Sequence, residues 1–541
     1  MHSRTDASPK AERDYSTGRV FTAKPITIVR SMGYGVVDLM GGGWNTIVGG
    51  LMLFFFTTYG NVSAVEGGAI LAIARIVDAI VSLLIGPLTD NFFRTKLGRR
   101  FGRRHFFLLI GAPAVLVTFP LLWVAGMGFW YYLVVYLVIE IVMAVILIPW
   151  ETLPNEMTPD YVGRTKLSST RMFFSATGTF LVFALPAAIK AAGNPNAYLI
   201  AGSAMAVLFA AGVAIAYFTT WEKKLTPEYL AELEAQPRLS VWKTLADTVT
   251  QAGSTFKNLT FVKHLVIYLC SFTAKDVFSS ALTFFVVYSL AGSETFGLTL
   301  QSLAIVGLPV TIGAGFLMVA KGPRFLYATS YVTIIASLLA LGAVYLFDIE
   351  NPIAMLIVIG IAYQAGRALL EFTPWNVYPF IPDVDYLMTG QHRAGIYAAV
   401  MTFGRKSTGA IGSLIVGGII DASGYLKPGS EGGTQLDPNC VDACVLVQPD
   451  GVSSAIASVT VFLPLALIVV ALIMSRLFRL DKPTHEVLLT EINRLENGGA
   501  KADADPAVAN LMSKLAGRRY EKLWPVEHAL RAGTWRKPSD D

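Results

Sequence analysis

Charge is what this chain has least of. Asp, Glu, Lys and Arg make up only 15% of it, while 54% of its residues are hydrophobic. An ordinary soluble domain is about a quarter charged. A soluble fold this apolar would turn large greasy surfaces to water, so the composition excludes that class and points to a polytopic membrane protein. Histidine and cysteine are scarce too, at six and three residues. No His/Cys cluster has metal-ligand spacing, no Ser-His-Asp arrangement occurs and no glycine loop is placed to cradle phosphate. The chain is therefore not read as an enzyme, and no cofactor is expected. The first thirty residues lack the short apolar core and small-residue cleavage site of a signal peptide. The net charge of +5 marks no nucleic-acid partner, because the basic residues sit in loops between apolar runs. Cys270 lies in an apolar span and reads as packing. Cys440 and Cys444 form a C-x3-C pair in a polar loop, a candidate disulfide if that loop lies outside the cell.

Apolar segments of about 20 residues, long enough to span a bilayer, recur twelve times, from 33–58 to 453–474. The expectation is an all-α membrane protein with twelve transmembrane helices in two six-helix halves. One set of loops carries Arg94 to Arg104, Arg164 and Lys166, Lys321 and Arg324, and both tails. The other set holds almost no basic residues. The basic side is cytoplasmic, which puts both termini inside and the two loop cysteines outside. The expected organisation is a cytoplasmic tail over 1–30, a bundle over 31–220, a cytoplasmic linker over 221–263, a second bundle over 264–478 and a cytoplasmic tail over 479–541. In that last tail Leu488, Ile492 and Leu495 fall on one stripe, as in a surface helix. The loop PNEMTPDYVGRTKLSSTRMFF after span four has a weak echo in PFIPDVDYLMTGQHRAGIYAA after span ten. Paired halves of this kind are what secondary transporters show.

Charges inside apolar spans are costly and mark function. They include Asp38, Arg75, Asp78, Glu140, Glu151, Lys190, Lys275, Asp276, Arg367, Glu371, Arg405 and Lys406. Asp78 is a candidate coupling-ion carboxylate, with pairing to Arg75 one turn away as the structural alternative. Glu140 and Glu151 share a helical face with Ala144 and Leu147, which argues for a cavity there. Lys190 and Glu151 lie near span ends, where snorkelling to the interface would serve them. Lys275 and Asp276 are expected on different helix faces, each with a partner elsewhere. Arg405 and Lys406 have no acid nearby on their own helix, so they too need a partner from another element. Trp150 and Trp375 are candidate faces for a sugar ring, and Pro374 interrupts the helix beside Trp375.

Several motifs together resemble the major facilitator superfamily (MFS), and within it the melibiose-permease-like glycoside–pentoside–hexuronide:cation symporter family. They are GYGVVDL with FFFTT, ARIVDA, GRRFGRRHFFLLIGAP, IPWETLPNEMTPD with RTKLSSTRM, and PDVDYLMTGQHRAG. The resemblance implies the MFS fold and alternating access. It implies a sugar or glycoside moved with a cation, a protein of the plasma membrane (the inner membrane in a bacterium) and a monomer in the lipid bilayer. By position, Asp78 matches a helix-two acid of the cation site, Arg171 lies near an arginine of the sugar site, and Lys406 matches the lysine that links the two sites. Asp90 with Arg99, Arg100, Arg103 and Arg104 resembles the inner gating loop.

The family's second helix-two acid is Ser82 here. Its helix-four acid and threonine fall at Leu147 and Ala144, and its helix-one acid falls at Gly42, one turn from Asp38. Na⁺ wants several hard oxygen ligands, whereas a proton needs one carboxylate, so H⁺ is favoured over Na⁺ as coupling ion. The expected cation-coupling residues are Asp78, Ser82 and Glu140. The expected substrate residues are Asp38, Trp150, Glu151, Arg171, Trp375 and Lys406. The competing reading is a carrier or exporter of a lysolipid or other amphipathic compound, without obligatory ion coupling.

Overall fold

Capping residues written into the sequence set the helix starts. Ser63 opens a helix over Ala64–Asn91 with a capping box: its hydroxyl accepts from Glu66 N–H at 3.2 Å and its own N–H donates to Glu66 at 2.8 Å. Thr27, Asn258, Ser293 and Asp481 cap other helices through their side chains. The computed structural model describes residues 25–158, 161–222, 252–349, 352–391, 393–426 and 448–524, together with a pair of two-residue strands, β1 (Glu12–Arg13) and β2 (Val20–Phe21).

The remaining elements are helical. In the first part of the chain they are α1 (Ile28–Gly35), α2 (Asp38–Gly50), α3 (Met52–Thr58), α4 (Ala64–Asn91), α5 (Lys96–Phe101), α6 (His105–Leu121), α7 (Phe129–Met157), α8 (Tyr161–Ala191) and α9 (Ala197–Thr219). Then come α10 (Leu259–Phe284), α11 (Glu294–Ser302), α12 (Gly307–Leu346), α13 (Ile353–Val377), α14 (Ile381–Thr389), α15 (Ala394–Ala422), α16 (Asp450–Leu477), α17 (Lys482–Glu496) and α18 (Pro506–Ala516). Among the described residues, 8 helices are long and apolar enough to cross a membrane, or up to 9 if the bent run from α1 to α3 is one span.

Helix α12 has 40 residues, about 60 Å at 1.5 Å per residue and roughly twice a hydrocarbon core. It breaks at Gly322, whose φ of 76° is open to glycine and strained for other residues. Pro323 follows and cannot donate its own N–H. Lys321 and Arg324 flank this break, so two apolar runs meet where the sequence places a basic loop.

The chain forms two compact units. The first comprises Met1–Lys243, Ser293–Ile305 and Tyr425–Val447; the second comprises Thr244–Gly292, Val306–Gly424 and Gln448–Asp541. Helix α11 therefore belongs with the first unit, where it packs along α8. Close helix approach in that unit depends on missing side chains. A Cβ on Gly178 would come within 2.3 Å of the Leu39 carbonyl oxygen, and one on Gly42 within 2.3 Å of the Ser175 hydroxyl.

In the second unit the C-terminal segment is folded onto the helices. Leu488, Ile492 and Leu495 of α17 are all buried, as the stripe implies, and Trp524 is fully buried. Trp524 N–H donates to Leu387 O at 2.9 Å, and Thr260 Oγ1 donates to Leu515 O at 2.7 Å. His485 Nε2 lies 2.7 Å from Asp383, and Tyr386 donates to Glu496 at 2.7 Å. The segment is anchored by packed apolar residues and by hydrogen bonds.

Candidate functional site

Arg171, on α8, holds a polar cluster of the first unit together. Its Nε donates to Asp38 Oδ2 at 2.8 Å and its Nη2 to Glu151 Oε1 at 2.5 Å. Asp38 starts α2 and Glu151 lies near the end of α7, so one guanidinium ties three helices. The space for Asp38 comes from Gly41, where an added Cβ would sit 2.3 Å from Asp38 Oδ1. Trp150 is fully buried. Its ring stacks on Tyr34 with centroids 4.9 Å apart, its Nε1 donates to Tyr34 O at 3.0 Å, and the Arg171 guanidinium lies 4.7 Å from it. In this conformation Trp150 positions Arg171, and the partly open groups are Arg171 and Glu151.

A second cluster surrounds Glu140, which is buried in α7. Trp44 Nε1 donates to Glu140 Oε2 at 3.2 Å. The charges of Arg75 and Asp78 on α4 both reach Glu140 and Tyr136 electrostatically. Ser82 donates to Asp78 Oδ1 at 3.1 Å, one helical turn on. The structure thus brings Asp78, Ser82 and Glu140 into one neighbourhood. Glu140 and Glu151 share a stripe of α7 but serve separate networks.

The third cluster overturns the expectation for Lys190. Lys190 does not snorkel; it is buried, 2.9 Å from Glu294 and 2.8 Å from the Tyr59 hydroxyl. Tyr59 donates to Glu294 at 2.5 Å, and Tyr198 donates to the other carboxylate oxygen. Glu294 escaped the sequence reading because an acid just after Ser293 looks like an ordinary helix start. Nothing local announces a partner on α8.

At the basic end of the first unit, Arg103 and Arg104 are buried on Glu156 at 2.5 and 2.8 Å. Glu222 accepts from the backbone N–H groups of Arg103, Arg104 and His105 and lies 2.8 Å from His105 Nδ1. It thereby caps α6 from a distant part of the chain. Burial alone would raise the Glu222 pKa. The His105 ring and the backbone donors outweigh burial and hold it below the usual carboxylate value. Arg99 and Arg100 are exposed. Asp90 lies in α4 with its side chain outside the described residues, and Cys440 and Cys444 also lie outside them.

In the second unit a run of alternating charges links α10, α13 and α15. Arg405 Nη1 meets Asp276 at 2.6 Å, Lys275 lies 3.6 Å from Asp276 and 3.1 Å from Glu371, and Arg367 lies 3.1 Å from Glu371. Lys275 and Asp276 each take a partner on another helix, Glu371 and Arg405, and the long lysine side chain also reaches back to its neighbour. Arg405 does take its acid from another helix. A Cβ on Gly409 would stand 3.3 Å from Arg405 Nη1, so the small residue leaves room for the pair. Trp375 is 46% exposed, on the stripe of α13 that carries Arg367 and Glu371. Its ring meets Tyr268 edge-on at 5.6 Å. Lys406 lies beside Arg405 on α15.

Residues 33–482 match the family described as MFS/sugar transport protein. The chain is 25% identical to an uncharacterized symporter of Synechocystis sp., over 86% of this chain and 96% of the relative. It is also 25% identical to YagG of Escherichia coli, named as a candidate glycoside/cation symporter, over 90% of this chain and 99% of the relative. Among solved structures, the nucleoside transporter NupG superposes with a TM-score of 0.55 at 14% identity, covering 84% of this chain and 99% of NupG. That likeness speaks to the fold alone.

Proposed function

The chain belongs to the MFS/sugar transport protein family, and from that premise we propose that it moves a sugar or glycoside by alternating access, in symport with H⁺. As a member of that family it is a multi-pass transporter of the plasma membrane, not an enzyme. The proposal includes twelve crossings with both termini inside, and a monomer as the working unit. The bent α1–α3 run, the division of α12 into two crossings, and α6 and α15 would add four to the 8 long apolar helices.

The observation that carries the solute reading is the cluster of Asp38, Arg171 and Glu151. Three charged groups from three helices converge there, and two of them are partly open. A fork of N–H donors beside carboxylate acceptors suits the hydroxyl rim of a sugar. Trp150 fixes the fork in place. A polar set of this kind favours a sugar over an amphipathic lipid, because a lipid tail gains nothing from it.

Glu140, Asp78 and Ser82 form the coupling group. Glu140 is buried, and the charges that reach it, Arg75 and Asp78, are of opposite sign. A carboxylate so placed carries one proton without the several hard oxygens that Na⁺ demands. Asp90 and the arginines from Arg99 to Arg104 gate the inner side through contacts such as Arg103–Glu156.

Uptake of labelled sugars and glycosides into vesicles under imposed pH or Na⁺ gradients tests this function. An inward proton gradient alone is expected to drive accumulation and to alkalinise a lightly buffered external medium. Glu140→Gln is expected to abolish uphill accumulation while exchange of labelled for unlabelled solute continues. Undiminished accumulation by that variant would refute the coupling role. A strict Na⁺ requirement would refute proton symport.

A further inference from the structure

One end of the second unit gathers cations where three apolar helices stop. Helix α10 begins there at Leu259, α12 breaks there at Gly322, and α16 ends there at Leu477. Two hydrogen bonds hold the three ends at one level. Lys263 Nζ, near the start of α10, donates to Leu477 O at 3.2 Å. Arg324 Nε, just past the break in α12, donates to Phe478 O at 3.1 Å. Both cations thus rest on the last carbonyls of α16, the negative end of a helix dipole. Arg479 follows at once, and its charge reaches Lys263 electrostatically. Lys321 and Arg476 stand at the same helix ends, and both are exposed.

The acids do not match these cations. Asp481 Oδ2 lies 3.6 Å from Arg324, and its other oxygen caps α17 at the Thr484 N–H. Among the described residues, Lys263, Lys321, Arg476 and Arg479 have no ion pair. Like charges gathered at one place repel, and the partial charge of a helix end offsets only part of that. Donors remain as well, since an ammonium carries three N–H groups and a guanidinium five.

Beside the cations lies an open apolar stripe. Ile473, Arg476 and Leu477 share one face of α16 at i, i+3 and i+4, and Ile473 and Leu477 are 55% and 52% exposed. Phe325 is exposed too, with Lys321 Nζ 4.4 Å from its ring centroid. In a multi-pass membrane protein such residues face acyl chains. The cations therefore stand at headgroup depth, directly beyond an acyl-facing surface. A soluble anion would meet the charge alone. A phospholipid meets the charge and the apolar stripe together.

We propose that the ends of α10, α12 and α16 bind the phosphate of an anionic phospholipid, with its acyl chains along the Ile473–Leu477 stripe. Basic pockets between membrane helices take headgroups of this kind. The bound phosphate relieves the repulsion among the cations and braces three helix ends of the second unit. A protein that moved no sugar at all would still carry this site, so its test stands apart from the uptake test.

The full chain is purified in a neutral detergent and melted while phosphatidylglycerol, phosphatidylcholine or inorganic phosphate is titrated in. Phosphatidylglycerol is expected to raise the melting temperature, and the other two to leave it unchanged. Lys263→Gln with Arg479→Gln is expected to weaken the apparent affinity for phosphatidylglycerol about fivefold for each cation removed, the scale of one Lys or Arg beside an anionic lipid. Lys321→Gln with Arg476→Gln removes two exposed cations and leaves the hydrogen bonds to α16 in place. A similar weakening is expected, and this variant tests the site even if the first fails to fold. Lys96→Gln with Lys166→Gln removes two exposed cations of the first unit and is expected to keep the wild-type affinity. Equal stabilisation by the two lipids overturns the inference. A rise with inorganic phosphate as large as that with phosphatidylglycerol also overturns it, and assigns the cations to a soluble anion. If the Lys96 and Lys166 variant loses as much affinity as the site variants, the effect is one of net charge and the site is refuted.

Discussion

Two clusters of the first unit use the same chemistry and differ in access. Lys190 and Glu294 are each only 4% exposed, and two tyrosine hydroxyls complete their hydrogen bonds. Arg171 and Glu151 are 34% and 48% exposed, with Asp38 buried behind them. Both clusters join helices distant in sequence through one cation. The closed cluster has satisfied itself: carboxylate, ammonium and hydroxyls are matched to one another and shielded. The open cluster leaves two of its charged side chains partly exposed, and on the proposed function that open side receives the solute. An ion pair inside a transporter therefore does not by itself mark a binding site; on the proposed function the side left open does.

The largest effect is expected where the closed cluster is broken. Lys190→Met removes the cation and leaves the Glu294 charge buried without its ammonium. Removing one partner of a buried pair costs about 3–5 kcal/mol, so a marked fall in melting temperature in detergent is expected. The double variant Lys190→Met with Glu294→Gln removes both charges and is expected to recover much of that loss. A single variant as stable as the wild type would place the pair in a wetter setting than its burial indicates.

A smaller effect is expected at Glu222, a closed carboxylate held by the His105 ring and by backbone donors. Its pKa is depressed, so its contribution to stability is present above the ordinary carboxylate pKa of 4.5 and is lost as pH falls through the lower folded value. Glu222→Gln is expected to cost about 1–2 kcal/mol at neutral pH, the scale of a charged helix cap. On acidification below about pH 4.5 the wild type is expected to lose that advantage, so the two melting curves converge. A gap between them that stays constant down to strong acid would rule out the titration of Glu222 as its source.

What the sequence revealed and what it concealed divide along the same physical line. Asp38, Glu151, Glu140 and Asp78 stood out because a charge within an apolar run is costly wherever the run folds. Arg171 was found through motif resemblance. Their partners were not legible. Trp44 and Glu140 meet across 96 positions of chain, and Lys190 and Glu294 come together only because α11 packs along α8. Helical spacing put Glu140 and Glu151 on one stripe, yet about eleven residues at 1.5 Å each separate them by roughly 16 Å, enough to reach different neighbours. The apolar run lengths were legible too, and the break at Gly322 and Pro323 falls where Lys321 and Arg324 signalled a loop. The packing of the C-terminal segment was half legible: the stripe of Leu488, Ile492 and Leu495 showed an apolar face, but not that α14 and α18 would cover it.

The smallest effect on stability, and the sharpest test of the comparison, is expected at Glu151. Glu151 pairs with Arg171 at 2.5 Å, but both side chains are partly open, and Arg171 keeps Asp38 when Glu151 is neutralised. Pairs exposed to this degree contribute about 0–1 kcal/mol. Glu151→Gln is therefore expected to leave the melting temperature almost unchanged. Transport should behave in the opposite way. The substituted amide keeps the shape and one acceptor but loses the charge that draws sugar hydroxyls and orients Arg171. A fall of at least about tenfold in kcat/KM for uptake is expected, the scale of a lost charge-assisted hydrogen bond. Stability and uptake thus part company at the open cluster and fall together at the closed one. If Glu151→Gln instead melted several degrees lower while transporting normally, the open cluster would be a structural bridge, and access would not separate binding from bracing.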